Sequence, residues 1–365
     1  MTVSIARVAT TTAASVMLAL CLSSCWYAKQ ATRFLADRAE AIPLDRIARE
    51  PDTPASVAAL IASVEEVRRF SVVGAGLSPT KNYTRYVETD KGYAADVVSA
   101  CAVDSFERHY WTYPVLGAMP YKGFYDKADA EREAARLEAS GLDVIVRQVD
   151  AFSSLGYFRD PLYSFMADYD EGEIAELILH ESAHATLFVK GADQFNEEFA
   201  TFVGRKGAQG YLEERYGPDS EALAARRFKY EDGEAFVAFL KGTASLLDAA
   251  YGDSSMSHEE KLSAKAAILS ERAAVFRGEA EARFHDEGFR NFDMGAINNA
   301  YIDLYRLYEE DLGMYEEWFD RVAAGSLANF VSTVKVIAGK AGKDVKKAMA
   351  ERLGLEGQAA AQSPY

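Results

Sequence analysis

The sequence predicts an α+β protein, with a small N-terminal sheet and a helix against it, followed by a mostly helical C-terminal half. Three observations predict this. β-like runs crowd residues 83–149, and a lone helical stretch, Lys127–Ser140, lies among them. From Glu171 onward the apolar pattern is almost wholly helical.

The chain begins with a segment that does not belong to the fold. Arg7 is the only charge before a small, apolar run, Val8–Leu22. That run is short for a membrane span and has the size of a signal-peptide core. It ends in Leu22-Ser23-Ser24-Cys25, which resembles a bacterial lipobox. Residues 1–24 therefore read as a signal peptide and Cys25 as the lipidated new N-terminus. Trp26 rather than Asp follows, which by the habit of such proteins points to the outer membrane of a bacterial cell envelope. Cleavage removes Cys21 and lipid occupies Cys25. Cys101 is left alone, and it reads as a small buried hydrophobe.

Residues 25–50 read as a lipidated tether and helix, in which Trp26, Tyr27, Phe34 and Leu35 mix with charges. Residues 51–170 form the α+β region. Its helix Thr53–Phe70 carries Val57, Leu60, Ile61 and Val64 at helical spacing. Strands are expected at Tyr83–Val87, Tyr93–Cys101, Tyr110–Leu116 and Val144–Val149, in one small sheet. Gly141 stops the helix Lys127–Ser140. Residues 171–355 form the helical region, with helices over 172–190, 193–215, 219–251, 257–285, 294–311 and 313–338. The Ala/Gln/Gly-rich tail, 356–365, is expected to be flexible.

Composition bounds the function. Hydrophobic residues are 49% and charged residues 26% of 365, ordinary for a globular chain. A net charge of −16 excludes nucleic acid as a partner, because a phosphate backbone needs a basic footprint.

The chemistry sits in His180-Glu181-Ser182-Ala183-His184. No Gly or Pro interrupts 173–184, so the segment is helical. Residues four apart share a face, which lets His180 and His184 reach one ion. Glu181, offset by one, borders that ion and can hold and deprotonate the attacking water. The apolar flanks Leu177, Ile178, Leu187 and Phe188 imply burial, where imidazoles and a carboxylate need a charged partner. A third ligand is expected from Asn196-Glu197-Glu198-Phe199-Ala200. Gly191 and Ala192 turn the chain, Asp193 caps the next helix, and Glu197 points back. The C-terminal half thus carries the metal-binding helices.

His180-Glu181-x-x-His184 followed by Asn196-Glu197-x-x-Ala200 is similar to the thermolysin-like class with a glutamate third ligand. More closely, the chain resembles a family of bacterial lipoproteins described as putative zinc aminopeptidases. The likeness spans about residues 25–215, with a weaker echo near Asn298-Asn299-Ala300. Its shared segments are Tyr113–Gly117, Pro120–Phe124, Phe152–Pro161 and Phe195–Phe202. The resemblance implies a Zn2+ cofactor, a peptide substrate and an activity of zinc-dependent peptide hydrolysis by an aminopeptidase. Two departures stand out. Thr201 occupies the place of the thermolysin-like aspartate that orients a ligand histidine. Gly117-Ala118-Met119-Pro120-Tyr121 lacks the glutamate with which related aminopeptidases bind a free amine.

Further site residues complete the reading. An oxyanion donor is sought among Tyr308, Tyr301, Tyr305 and Tyr157, with Tyr308 foremost. Ser153, Ser154 and Gly156 are expected to bind extended substrate along a strand edge, or to form a simple turn. Asn298 either binds substrate backbone or caps a helix, and Asn299 poses the same choice. His258 reads as a surface residue, and His109 and His285, which lack a matching partner spacing, read as structural or as oxyanion donors. Two other functions remain open: an envelope endopeptidase, and a non-catalytic zinc-stabilised lipoprotein that binds peptide. An intact Glu181 disfavours the last, since a purely structural site does not need it.

Overall fold

The computed structural model describes Trp26, Lys29, Gln30 and residues 32–113, 117–150, 160–306 and 312–355. Residues 1–25 and 356–365, and with them the signal peptide, Cys25 and the tail, lie outside the described residues. Among those described, no helix is long and apolar enough to cross a membrane. The α+β class holds: helix makes up 64% and strand 11%, with small sheets near the N-terminal half and helices in the C-terminal half.

Helix α1 (32–40) leads through β1 (Ile42–Pro43) and α2 (Leu44–Ile47) to α3 (Ala55–Val73). Five strands follow: β2 (Arg85–Val87), β3 (Ala95–Ala102), β4 (Trp111–Tyr113), β5 (Gly117–Met119) and β6 (Tyr121–Phe124). Then come α4 (Lys127–Glu138), β7 (Leu142–Val149) and β8 (Leu162–Tyr163). The helical half is α5 (Glu171–Thr186), α6 (Asp193–Tyr216), α7 (Glu221–Gly252), α8 (His258–Arg283), α9 (Glu287–Arg290), α10 (Asn299–Arg306), α11 (Gly313–Arg321), α12 (Leu327–Ala341) and α13 (Val345–Leu353).

Among the described residues, the single sheet expected from the sequence is instead three. β6-β3-β7 is antiparallel throughout, and β4-β5 is a separate pair. The third sheet, β1-β2-β8, pairs β2 antiparallel with β1 and parallel with β8. The split follows a contact between residues far apart in sequence. Tyr83 adopts a left-handed φ of 54° and donates its amide to the Asp160 carbonyl at 2.7 Å, which delivers β2 to β8 rather than to β3.

The helix starts are set by side chains. Asp170 and Glu173 form a capping box on α5, with amide–carboxylate bonds of 2.8 and 2.9 Å. Ser257 and Glu260 do the same for α8, and Asp126 caps α4. Two expected helices are shorter than their apolar patterns. The one expected over 172–190 ends at Thr186, because Leu187 turns extended. The one expected over 313–338 breaks into α11 and α12. Ala324 and Gly325 are both left-handed, at φ 53° and 73°, and Ser326 caps the new helix. The one expected from 294 begins at Asn299.

The main core joins α3, α5, α6 and the C-terminal helices through Val64, Ile178, Phe199, Phe202 and Phe330, and it includes Tyr83. A second core lies between α7, α8 and α10, and a third between β3 and α4. Helices α5 and α6 therefore run through the most buried part of the molecule.

Candidate metal centre

His180 and His184 project from one face of α5. Their Nε2 atoms are 3.1 Å apart, and the rings cross at 83°. From α6, Glu197 brings Oε1 to 3.5 Å from His184 Nε2 and Oε2 to 3.9 Å from His180 Nε2. Two donors each about 2.0–2.1 Å from one zinc at a tetrahedral angle lie about 3.3 Å apart. The three observed separations straddle that value, and the donor set of two neutral-capable imidazoles and a carboxylate suits zinc. Among the described residues, this trio is the one group of three or more whose ligand atoms converge, all within 4.8 Å.

Three features of the sequence bring α6 to this place. The first is Asn196, buried at the start of α6. Its Oδ1 accepts from the Val189 amide at 2.8 Å, and its Nδ2 donates to the Val189 carbonyl at 2.9 Å. That double bond pins the 187–192 loop across its narrowest point, and Gly191 supplies the left-handed turn, at φ 77°. The second is close helix contact. A Cβ at Gly204 would stand 3.1 Å from the Glu176 carbonyl oxygen and 3.2 Å from His180 Cβ. A Cβ at Gly207 would meet Leu179 Cδ1 at 2.7 Å. The third is Glu198, next to the ligand but on the buried side of α6. It accepts from Tyr315 Oη at 3.0 Å and Gln194 Nε2 at 2.9 Å, and pairs with Lys346 at 2.8 Å.

The electrostatics of the trio follow from burial and from the contacts among its members. Burial, with His184 alongside, pushes the His180 imidazolium down to about 4. Burial also works against the charged form of His184, but the Glu197 carboxylate beside it outweighs this and raises its pKa. The same contact with His184 lowers the pKa of Glu197. Metal binding requires both imidazoles in their neutral form. Glu181 is buried, at 8% exposure, and stands outside the ligand trio. The ring of His184 has a second nitrogen, Nδ1, that is buried and finds no partner among the described residues. Thr201, in the place of an orienting aspartate, is buried on α6.

Other site residues expected from the sequence fall elsewhere. Tyr308, Tyr157, Ser153, Ser154 and Gly156 lie outside the described residues. Of the two roles open to Asn298, the capping contact is present. It donates Nδ2 to the Val144 carbonyl at 2.8 Å and accepts from the Tyr301 amide at 3.0 Å. It thus docks on β7 and caps α10. Asn299 is likewise structural, donating to the carbonyls of Ala102, Val103 and Ser105. Tyr301 and Tyr305 pack in the second core against Phe292 and Phe236. His258 pairs with Asp104 and His285 with Asp232, while His109 meets the edge of Trp111.

A family model described as Putative aminopeptidase matches residues 25–349. The chain belongs to this putative aminopeptidase family. No curated protein and no solved structure matches it. The family match runs across all three parts of the site: the α5 histidines, the Asn196 clamp and the Glu198 anchor to α11 and α13.

Four residues that shape the structure were missed in the sequence. Gly204 and Gly207, three apart within an unbroken helical pattern, are a signal of close approach that was there to be used. Glu198 adjoins Glu197 in the sequence, and its 1% exposure sets it apart from a solvated acid. Tyr83, buried in the main core, carried no sequence signal at all.

Proposed function

We propose that this chain is a zinc-dependent aminopeptidase of the bacterial cell envelope, anchored through a lipidated Cys25 and acting on peptides. The observation that carries the reading is the convergence of His180, His184 and Glu197 with Glu181 beside them but not among them. His180, His184 and Glu197 hold the ion. Zinc, when bound, supplies Lewis-acid polarisation of the scissile carbonyl and neutralises developing charge. Glu181 takes a proton from the attacking water and delivers it to the leaving amine. Its burial keeps competing water away and strengthens its interaction with charge nearby. Support for hydrolysis comes from the family description, and support for zinc from the donor set and its spacing.

A second reading has its own observation. The strand β5 and the residues after it, Gly117-Ala118-Met119-Pro120-Tyr121, carry no acid to hold a substrate's free amine. Residues Gly117–Met119 pair with Trp111–Tyr113, and Met119 packs on the third core rather than on the metal helices. This favours an endopeptidase on the same chemistry. Digestion of a peptide library with free and acetylated N-termini tests both, using protein stripped of metal and then reloaded with zinc. An aminopeptidase cleaves only the free set, an endopeptidase cleaves both, and activity that ignores stripping and zinc overturns the proposal.

A further inference from the structure

Cations are outnumbered in this chain, 40 lysines and arginines against 56 acids, yet three of them line one pocket. The pocket has a volume of about 250 Å³. It lies where α1, the turn into β2 and the residues before β8 meet. Arg38, Lys81 and Arg85 are its cations, and Asp160 is the one acid among its lining residues. Two positive charges are therefore in excess. The pocket shares no residue with the metal trio.

Internal contacts compensate only one of the three cations. Arg38 pairs with Asp160 at 3.2 Å, and its guanidinium lies 3.3 Å from the centroid of the Phe34 ring. Arg85 meets no carboxylate. Its Nε, at 3.0 Å, and its Nη2 both donate to the Ala41 carbonyl. That fork fixes the plane of the guanidinium at the start of β1 and leaves its charge unneutralised. Lys81 is exposed, and its ammonium meets no acid among the described residues. Like charges gathered around one pocket repel, and an anion between them relieves the repulsion. The backbone that carries these groups is held from several sides. Thr84 Oγ1 donates to the Lys81 carbonyl at 2.7 Å, and the Tyr83 amide to the Asp160 carbonyl at 2.7 Å. The Asp160 amide returns to Asn82 Oδ1 at 3.3 Å. A site whose backbone is already ordered loses less on binding.

We propose that this pocket binds the phosphate group of a phosphomonoester. Such a group carries about two negative charges near neutral pH, which matches the excess. A planar guanidinium fixed in place and a mobile ammonium are the two side chains that phosphate oxygens take as donors. A soluble ester and a lipid headgroup offer the same group, and the chemistry of the pocket is common to both. No part of this depends on the peptidase reading.

The test reads Lys81 directly, through the rate at which an amine-acylating reagent modifies it in the full chain, followed by mass spectrometry. Lys347, which is 76% exposed on α13, serves as the internal reference. Saturating glycerol 3-phosphate should slow acylation of Lys81 about tenfold and leave Lys347 unchanged. Glycerol should protect neither. Protection by phosphatidylcholine vesicles containing phosphatidic acid, but not by phosphatidylcholine alone or by glycerol 3-phosphate, supports the site and assigns it to a lipid headgroup. Calorimetric titration with whichever ester protects supplies the second measurement. Lys81→Ala should weaken binding about tenfold and Lys81→Arg should retain it, both at wild-type Tm, because the Lys81 side chain holds nothing in the fold. Raising the salt concentration should weaken binding further. The proposal is overturned if neither ester slows acylation of Lys81, or if Lys81→Ala binds the ester as tightly as the wild type.

Discussion

Two asparagine-bearing segments look alike in the sequence and do opposite things in the structure. Asn196-Glu197 opens α6 and Asn298-Asn299 opens α10. All three asparagines are committed to scaffold: Asn196 clamps Val189, Asn298 docks on Val144, and Asn299 collects three carbonyls of the strand-end turn. Tyr251 Oη donates to Asn299 Oδ1 as well, at 2.8 Å, which completes its buried set. The difference lies in what stands beside them. Next to Asn196, the carboxylate of Glu197 is half-exposed and faces two imidazoles. Next to Asn299 are the buried Ala300 and, in the second core, Ile302. Satisfied buried polar groups build a scaffold, while converging ligand atoms with room for an ion mark the site.

The contrast can be broken or sharpened by substitution. The largest effect belongs to the site itself. Glu181→Gln should keep one zinc per chain and lose peptide hydrolysis by about a thousandfold, since it removes the proton acceptor and leaves the ligands. Steady-state rates beside metal content check this, and full activity in the variant would take Glu181 out of the reaction.

On the scaffold side, Asn299→Ala should destabilise by about 3 kcal/mol in urea unfolding, because three carbonyls and the Tyr251 hydroxyl lose their partner. Its zinc affinity should be that of the wild type. A variant that loses zinc but not stability would reverse the assignment of the two segments. Asn196→Ala should lie between these cases. It frees the loop that sets Glu197, so zinc binding should weaken roughly ten- to a hundredfold in a competition titration with a chelator. Unchanged affinity would show that the Gly204–Gly207 contact alone positions α6.

The smallest effect is a pH dependence remote from both segments. Burial opposes the charge on Glu133, but Arg136, the Trp111 indole and Lys122 overcome it and hold its carboxyl at about 2. Its folded pKa is thus below the ordinary glutamate value of 4.5, so its contribution to stability is present above 4.5 and is lost as pH falls towards 2. Glu133→Gln should flatten the Tm profile over that interval and leave zinc binding untouched.

Much of this was legible in the sequence, for stated reasons. The helix of His180 and His184 follows from its spacing and its capping residues, and Glu197 follows from a turn between two helices. The long helices α6, α7 and α8 follow from unbroken apolar periodicity. What failed was non-local. The three-sheet arrangement depends on Tyr83 meeting Asp160, 77 positions away, which no local pattern encodes. The break between α11 and α12 depends on Ala324 taking a left-handed conformation, which alanine does not advertise. The role of Asn298 could not be chosen in advance, because an asparagine before a helix suits a cap and a ligand equally well. Glu198 was invisible for a related reason: its partners Tyr315 and Lys346 lie more than a hundred residues downstream.

The central claim is that one ion is held jointly by α5 and α6. Zinc content of the purified wild type beside Glu197→Ala tests it most directly. The account predicts about one zinc per chain in the wild type, and loss of that zinc on mild chelation of the variant. A wild type that takes up no zinc, or a Glu197→Ala protein that holds it as tightly as the wild type, would contradict it.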